Sequence, residues 1–158
     1  MILGIGLSKT GTKSLKEALQ ILGYKSLHLP SKQQLFSGNY EAFTDIPAYV
    51  YLTQLLTFYS KTRLICTTRN VDTWIESCRE HFKPTNNAYF IELRNSVYGQ
   101  SVFDEIVWRS AYKSHSLRLK VIAHYCNILF LPLESPNKWD LLCDFLNKSK
   151  PNVDYPKL

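Results

Sequence analysis

Residues 6 to 15, GLSKTGTKSL, have the composition of a loop that holds a phosphate-like group, with two glycines, four hydroxyls and two lysines. The backbone amides of Thr10 through Lys13 can converge on anionic oxygens, and Thr12 and Ser14 can add hydroxyl donors. Lys9 precedes the second glycine, so its ammonium group would reach a ligand from the leading edge of the loop.

The loop departs from both common nucleotide-binding patterns. Gly6 and Gly11 have the spacing of the Walker loop, but Thr12 stands where that loop has its lysine. A dinucleotide fingerprint also fails, because Lys9 occupies the position of the third glycine. The sequence therefore predicts an anion site of an altered form.

The elements around the loop predict how it is positioned. An apolar strand over 2–7 leads into it, and apolar residues at helical spacing predict a helix over 12–22, which Gly23 ends. This strand–loop–helix order directs amide groups and the positive end of a helix at an anion.

The rest of the chain alternates helices with apolar strands. We predict strands over 62–69 and 127–135, and helices over 45–59, 71–81, 103–125 and 139–146. The segment 83–101 is predicted to be a long loop with a short helix near 91–94, and the tail is predicted to be irregular. This pattern indicates one α/β domain over 1–158, a parallel sheet covered by helices on both faces. The loops after Gly6 and Thr68 would then face one site.

Composition sets broader limits. The net charge of +6 favours anionic partners, and the four cysteines have no metal-ligand or disulfide spacing. We expect a cytoplasmic address, since no leader precedes the first predicted strand and no apolar run approaches a membrane-spanning length.

The opening GLSKTGTKSLKEALQILGY resembles the 5′-phosphosulfate loop of the sulfotransferases that use 3′-phosphoadenosine 5′-phosphosulfate (PAPS), whose fold is related to the P-loop kinases. The resemblance continues in the same order through FTDIP, RLICTTRNVDTWIESC, WRSAYKSH and KWDLLCDFLNKSKPNVDYP. Together these segments span most of the chain, as in the small single-domain members of that family.

The resemblance implies a role for each matching residue. Lys9 would contact the oxygen that bridges phosphate and sulfate, and Arg69 with Ser77 would bind the 3′-phosphate. Asp45 matches a candidate general base, although an aspartate before Ile46-Pro47 also suits a helix N-cap; His115 is an alternative base. The 5′-phosphate would be held by Thr10, Gly11, Thr12, Lys13 and Ser14.

The function expected from the resemblance is sulfuryl transfer from PAPS to a hydroxyl, or less readily an amine, without a metal, leaving 3′,5′-adenosine diphosphate. The acceptor would be a small molecule or glycan-type compound, with no nucleic acid or membrane partner, and the sequence indicates neither its identity nor the oligomeric state. Two alternatives stay open: a nucleotide kinase or phosphotransferase on the same fold, and a non-catalytic nucleotide-binding protein.

Overall fold

A computed structural model describes residues 1–158, and five parallel strands form its sheet. The strands lie in the order β2-β3-β1-β4-β5, so the strand order reverses beside β1. In parallel sheets a ligand crevice forms outside the carboxyl ends of the strands at such a reversal. The strands are β1 (Ile2–Gly4), β2 (Ser26–His28), β3 (Ala42–Thr44), β4 (Arg63–Thr68) and β5 (Ile128–Pro132).

Eight helices accompany the sheet. They are α1 (Thr12–Ile21), α2 (Lys32–Leu35), α3 (Ile46–Val50), α4 (Leu52–Phe58), α5 (Val71–His81), α6 (Ala88–Tyr98), α7 (Glu105–Ile122) and α8 (Lys138–Leu146). No helix is both long enough and apolar enough to cross a bilayer.

The chain divides into two compact units. The sheet unit contains Met1–Arg69 and Asn127–Leu158, and the helical unit contains Asn70–Cys126. The expectation of a single domain over 1–158 stays a prediction.

Both faces of the central strands β1, β3 and β4 are buried, as predicted for a parallel α/β fold. On one face α1 and α8 pack over the strands, where Leu15, Leu19 and Leu142 are fully buried with Ile65. On the other face, Leu3 and its paired neighbours Phe43 and Leu64 have at most 1% of their surface exposed.

The helical unit is built around stacked aromatic rings. Trp74 and Trp108 are fully buried, and the ring of Tyr98 stacks on that of Trp108 with centroids 3.9 Å apart. Such large apolar rings give three helices a shared core without a sheet.

The strands β2 and β3 were not predicted, because each has only three residues and offers no readable alternation. The helix predicted over 45–59 is wrong as a single element, since Tyr51 separates α3 from α4. The loop predicted over 83–101 is also wrong in part. The structure has an eleven-residue helix there, α6. Asn87 caps its start by accepting a hydrogen bond from the amide of Phe90, and Gly99 ends it with φ of 83°.

Candidate active site

The loop between β1 and α1 turns sharply because two of its residues adopt left-handed backbone angles. Lys9 has φ of 69° and Gly11 has φ of 101°, and Gly11 is the N-cap of α1. A side chain at Gly11 would also meet Leu133, whose Cδ1 lies 2.9 Å from the position of a Cβ atom. Glycine therefore suits this position for both its backbone angle and its lack of a side chain.

Gly6 lets the loop lie directly against β4. A Cβ atom there would lie 2.7 Å from the carbonyl oxygen of Thr67 and still closer to its hydroxyl. Thr10 completes this contact, since its hydroxyl donates to the carbonyl of Leu7 at 2.6 Å and shares a hydrogen bond with the Thr67 hydroxyl at 2.7 Å. The base of the loop is thus fixed to the strand by packing and by buried polar contacts.

The first turn of α1 presents backbone amides at the carboxyl end of β1. The first helical hydrogen bond runs from the amide of Leu15 to the carbonyl of Gly11 at 2.9 Å. The amides of Thr12, Lys13 and Ser14 precede that bond and have no acceptor within the helix, an arrangement that favours the binding of an anion.

Asp45 links the two ends of the loop to β3. Its Oδ1 accepts a short hydrogen bond from the hydroxyl of Ser8 and one from the amide of Ile46 at 2.6 Å, and its Oδ2 accepts from the Thr12 hydroxyl at 2.8 Å. Only 4% of Asp45 is exposed. Three donors compensate the cost of burying this carboxylate, and they hold the loop at residues 8 and 12.

The backbone of Asp45 is strained. Its angles, φ 84° and ψ 178°, lie in a region that residues other than glycine avoid, and such strain costs about 1–3 kcal/mol. Strained residues of this kind cluster at functional sites. The carboxylate is therefore held in position at a cost that the surrounding contacts offset.

His28 lies against the same carboxylate. Its Nε2 is 3.5 Å from Asp45 Oδ2, and its Nδ1 is 3.1 Å from the hydroxyl of Thr44. Burial lowers the pKa of His28, the Asp45 carboxylate opposes this shift, and Lys13 and Lys16 add to it. His28 was missed from the sequence because β2 was missed: recognising that strand would have put His28 at a strand's carboxyl end.

Arg69 joins the site from the end of β4. Its Nη1 donates to the carbonyl oxygen of Lys9 at 3.2 Å. The loops after Gly6 and Thr68 are therefore in contact, and the prediction that both face one ligand site stays a prediction.

Comparison with known proteins identifies the family of this chain. A family model described as "Sulfotransferase domain" matches residues 1–33 and 30–96, which together make up more than half of the chain. The chain belongs to the sulfotransferase domain family. A curated relative, "Ava biosynthesis cluster protein M" of Aspergillus versicolor, is 21% identical over an alignment of 208 residues that covers 99% of this chain and 80% of that protein.

Most hydroxyl groups of this sulfotransferase loop point into the protein. Thr10, Thr12 and Ser14 each have at most 3% of their surface exposed. The Thr12 hydroxyl donates to Asp45, and the Ser14 hydroxyl accepts from the backbone amide of Leu158 at 3.2 Å. A ligand at this turn would therefore contact the backbone amide of Thr12, because the Thr12 hydroxyl already donates its hydrogen to Asp45. Lys9 is half-buried and Lys13 is exposed.

The remaining predicted residues belong to the helical unit. Ser77 is half-buried on α5, and its partnership with Arg69 at a 3′-phosphate stays a prediction. His115, the alternative base, is buried on α7 with 6% of its surface exposed. Its role as an alternative base stays a prediction, as does that of Asp45.

Proposed function

We propose that this chain transfers a sulfuryl group from PAPS to a hydroxyl, or an amine, of a small-molecule or glycan-type acceptor. The observation that carries the proposal is the state of Thr12. It stands in the Walker lysine position, and its hydroxyl donates to the Asp45 carboxylate at 2.8 Å. A triphosphate would lack its usual cation there, whereas the first-turn amides and Lys9 suit the shorter phosphosulfate group.

In the proposed complex the loop binds the 5′ end of the donor. The ammonium group of Lys9 contacts the oxygen between phosphorus and sulfur, where negative charge develops as the bond breaks. Its left-handed backbone and the Arg69 contact to its carbonyl fix the residue from which that side chain extends. Arg69 and Ser77 bind the 3′-phosphate, and the 5′-phosphate lies against Thr10, Gly11, Thr12, Lys13 and Ser14.

The proposed reaction is an in-line displacement at sulfur. The acceptor oxygen forms a bond to sulfur while the bond from sulfur to the phosphate oxygen breaks, and 3′,5′-adenosine diphosphate leaves with that electron pair. Asp45 takes the acceptor proton. Sulfuryl transfer resembles phosphoryl transfer in having a loose transition state, so positioning and electrostatic stabilisation by Lys9 and the amides supply most of the catalysis, without a metal.

Asp45 would have two roles in this reaction, since the carboxylate that acts as base also holds the loop. The Asp45→Asn variant keeps the side-chain volume but puts an uncharged group beside the Thr12 hydroxyl. We expect turnover to be lost and donor binding to weaken as well, by about 1 kcal/mol or roughly fivefold, because a hydrogen bond to a charged group becomes neutral. Full turnover in this variant would reject Asp45 as the base.

The direct test is calorimetric titration with 3′,5′-adenosine diphosphate, compared with ATP. We expect wild type to prefer the former, and we expect Lys9→Ala and Arg69→Ala each to weaken binding about tenfold or more, as for a lost charged hydrogen bond. The matched control is Arg63→Ala: Arg63 lies at the opposite end of β4 and also donates to a backbone carbonyl, that of Leu146.

Each outcome decides between the candidates. A preference for ATP favours the kinase alternative, and binding without any sulfate transfer favours a non-catalytic nucleotide-binding protein. Absence of binding by the wild type would overturn the proposal.

A further inference from the structure

His28 is a titratable residue to which the proposed reaction gives no role, although it touches the central carboxylate. Its Nε2 and the Thr12 hydroxyl approach the same oxygen, Oδ2 of Asp45, at 3.5 and 2.8 Å. His28 ends β2 and Asp45 follows β3, so two neighbouring strands bring these groups to the carboxyl edge of the sheet.

The surroundings of the ring favour one neutral tautomer. If Nε2 carried no hydrogen, its lone pair would face a carboxylate oxygen, whereas a hydrogen there points at that oxygen. The Thr44 hydroxyl, 3.1 Å from Nδ1, can then donate to the other nitrogen. The imidazole then presents its N–H to Asp45 Oδ2 at 3.5 Å, an electrostatic contact that is longer than a hydrogen bond and that favours this position of the carboxylate.

Burial and charges on two other elements act on this ring. Asp45, at the start of α3, stabilises the imidazolium form, while Lys13 and Lys16 on α1 destabilise it, and burial on β2 also disfavours the charged form. One added negative charge nearby would therefore favour the imidazolium form of His28.

We propose that His28 is a positioning residue that orients the Asp45 carboxylate and takes up a proton when the phosphate groups of the donor bind at α1. This inference rests on the proposed function, because it needs an anion at the first turn of that helix. Lys13 lies in that turn and acts on His28, so an anion that neutralises its charge removes one of the effects that keep the ring neutral.

The proton has opposite consequences for binding and for chemistry. An imidazolium attracts the donor anion, so affinity for the donor rises as pH falls through the titration range of His28. The same positive charge beside Asp45 lowers the proton affinity of the carboxylate, which makes it a weaker base. Donor affinity and turnover should therefore respond to acid in opposite directions.

The closing experiment follows the His28 imidazole in the wild-type protein by NMR, assigned through its backbone, in a pH series with and without 3′,5′-adenosine diphosphate. We expect the pKa of His28 to rise when the nucleotide binds. Identical titration of His28 in the free and bound protein would overturn the inference.

A second measurement counts protons directly by calorimetry at about pH 6, in two buffers of different ionisation enthalpy. The phosphates of the ligand titrate in the same range, so the contribution of His28 is the difference between wild type and His28→Gln. We expect wild type to take up more protons than His28→Gln, and His124→Gln, which changes an exposed histidine of the helical unit, to match wild type.

The outcomes separate the two claims. If the wild type does not bind the nucleotide, the proposed function fails and the inference fails with it. If the wild type binds but its proton uptake equals that of His28→Gln, only the inference is overturned. If His28→Gln does not fold or bind, the NMR titration of the wild type decides.

Discussion

Asp45 has backbone angles that glycine adopts freely, so Asp45→Gly and Asp45→Ala form a pair that measures strain. Both variants remove the carboxylate and leave the same donors without it, those of Ser8, Thr12 and Ile46. They differ in the energy of the backbone at φ 84° and ψ 178°, which alanine pays and glycine does not. That strain is about 1–3 kcal/mol.

Asp45 is also the N-cap of α3, where glycine is preferred to alanine even without strain, so a control is needed. Ser31 provides it: this residue caps α2 in the same unit, with ordinary extended angles of φ −69° and ψ 161°, and accepts from the amide of Gln34. The difference between the glycine and alanine variants at Ser31 measures the capping preference together with the greater unfolded-state entropy of glycine, without strain.

We expect both variants at Asp45 to be less stable than wild type, with Asp45→Gly the more stable of the two. The free-energy difference between glycine and alanine should be about 1–3 kcal/mol larger at Asp45 than at Ser31. Urea unfolding followed by circular dichroism measures these free energies. If the difference at Asp45 equals that at Ser31, the backbone of Asp45 stores no strain and this reasoning is refuted.

Three further predictions concern packing and protonation. Gly6→Ala should lower the free energy of unfolding by about 1–3 kcal/mol or more, because its Cβ would lie 2.7 Å from the Thr67 carbonyl oxygen. Adding Thr67→Ala removes the hydroxyl but not that carbonyl, so urea unfolding of the double variant should show only part of the lost stability restored. Because the pKa of His28 is lowered in the folded protein, the unfolded chain binds more protons than the folded one as pH drops from the ordinary value of 6.5 through the lowered pKa. The free energy of unfolding should therefore fall over this range, and less steeply in His28→Gln. A pH series of unfolding curves measures this. Burial raises the pKa of Cys66 to about 12, so Cys66 should react with an alkylating reagent only after unfolding. When the native protein is alkylated at about pH 8, mass spectrometry should find the half-buried Cys126 labelled first. Early labelling of Cys66 would contradict this.

The centre of the fold could be predicted from sequence because its signals are local. The apolar run before Gly6, the periodic face of α1 and the β-branched strand β4 each carry their pattern within a few residues. The helix and β4 are confirmed, and the strand predicted over 2–7 is confirmed only for Ile2–Gly4. The strands β2 and β3 could not be predicted, because neither lies in a continuous apolar run like that of β1 and their three residues are too few to show alternation. Their stability comes from pairing with strands distant in the chain.

In the candidate site, too, the residues in locally recognisable segments could be predicted, and those that depend on long-range pairing could not. Lys9, Thr12 and Arg69 were identified because they belong to, or flank, recognisable segments, and the structure brings these three to one edge of the sheet. The orientation of the Thr12 hydroxyl and the presence of His28 depend on where β2 and β3 lie. Sequence spacing carries no information on either, since 16 residues separate His28 from Thr44.

The burial and the strain of Asp45 have one physical explanation in common. A carboxylate with 4% exposure and unfavourable backbone angles persists only where its surroundings supply donors in fixed positions. Those donors come from both ends of the anion loop, at Ser8 and Thr12, so the loop positions the carboxylate while the carboxylate positions the loop. Because His28 touches the same oxygen, a change of charge at that ring acts on both partners at once. In the proposed reaction, donor binding and proton acceptance would therefore be coupled through a single side chain.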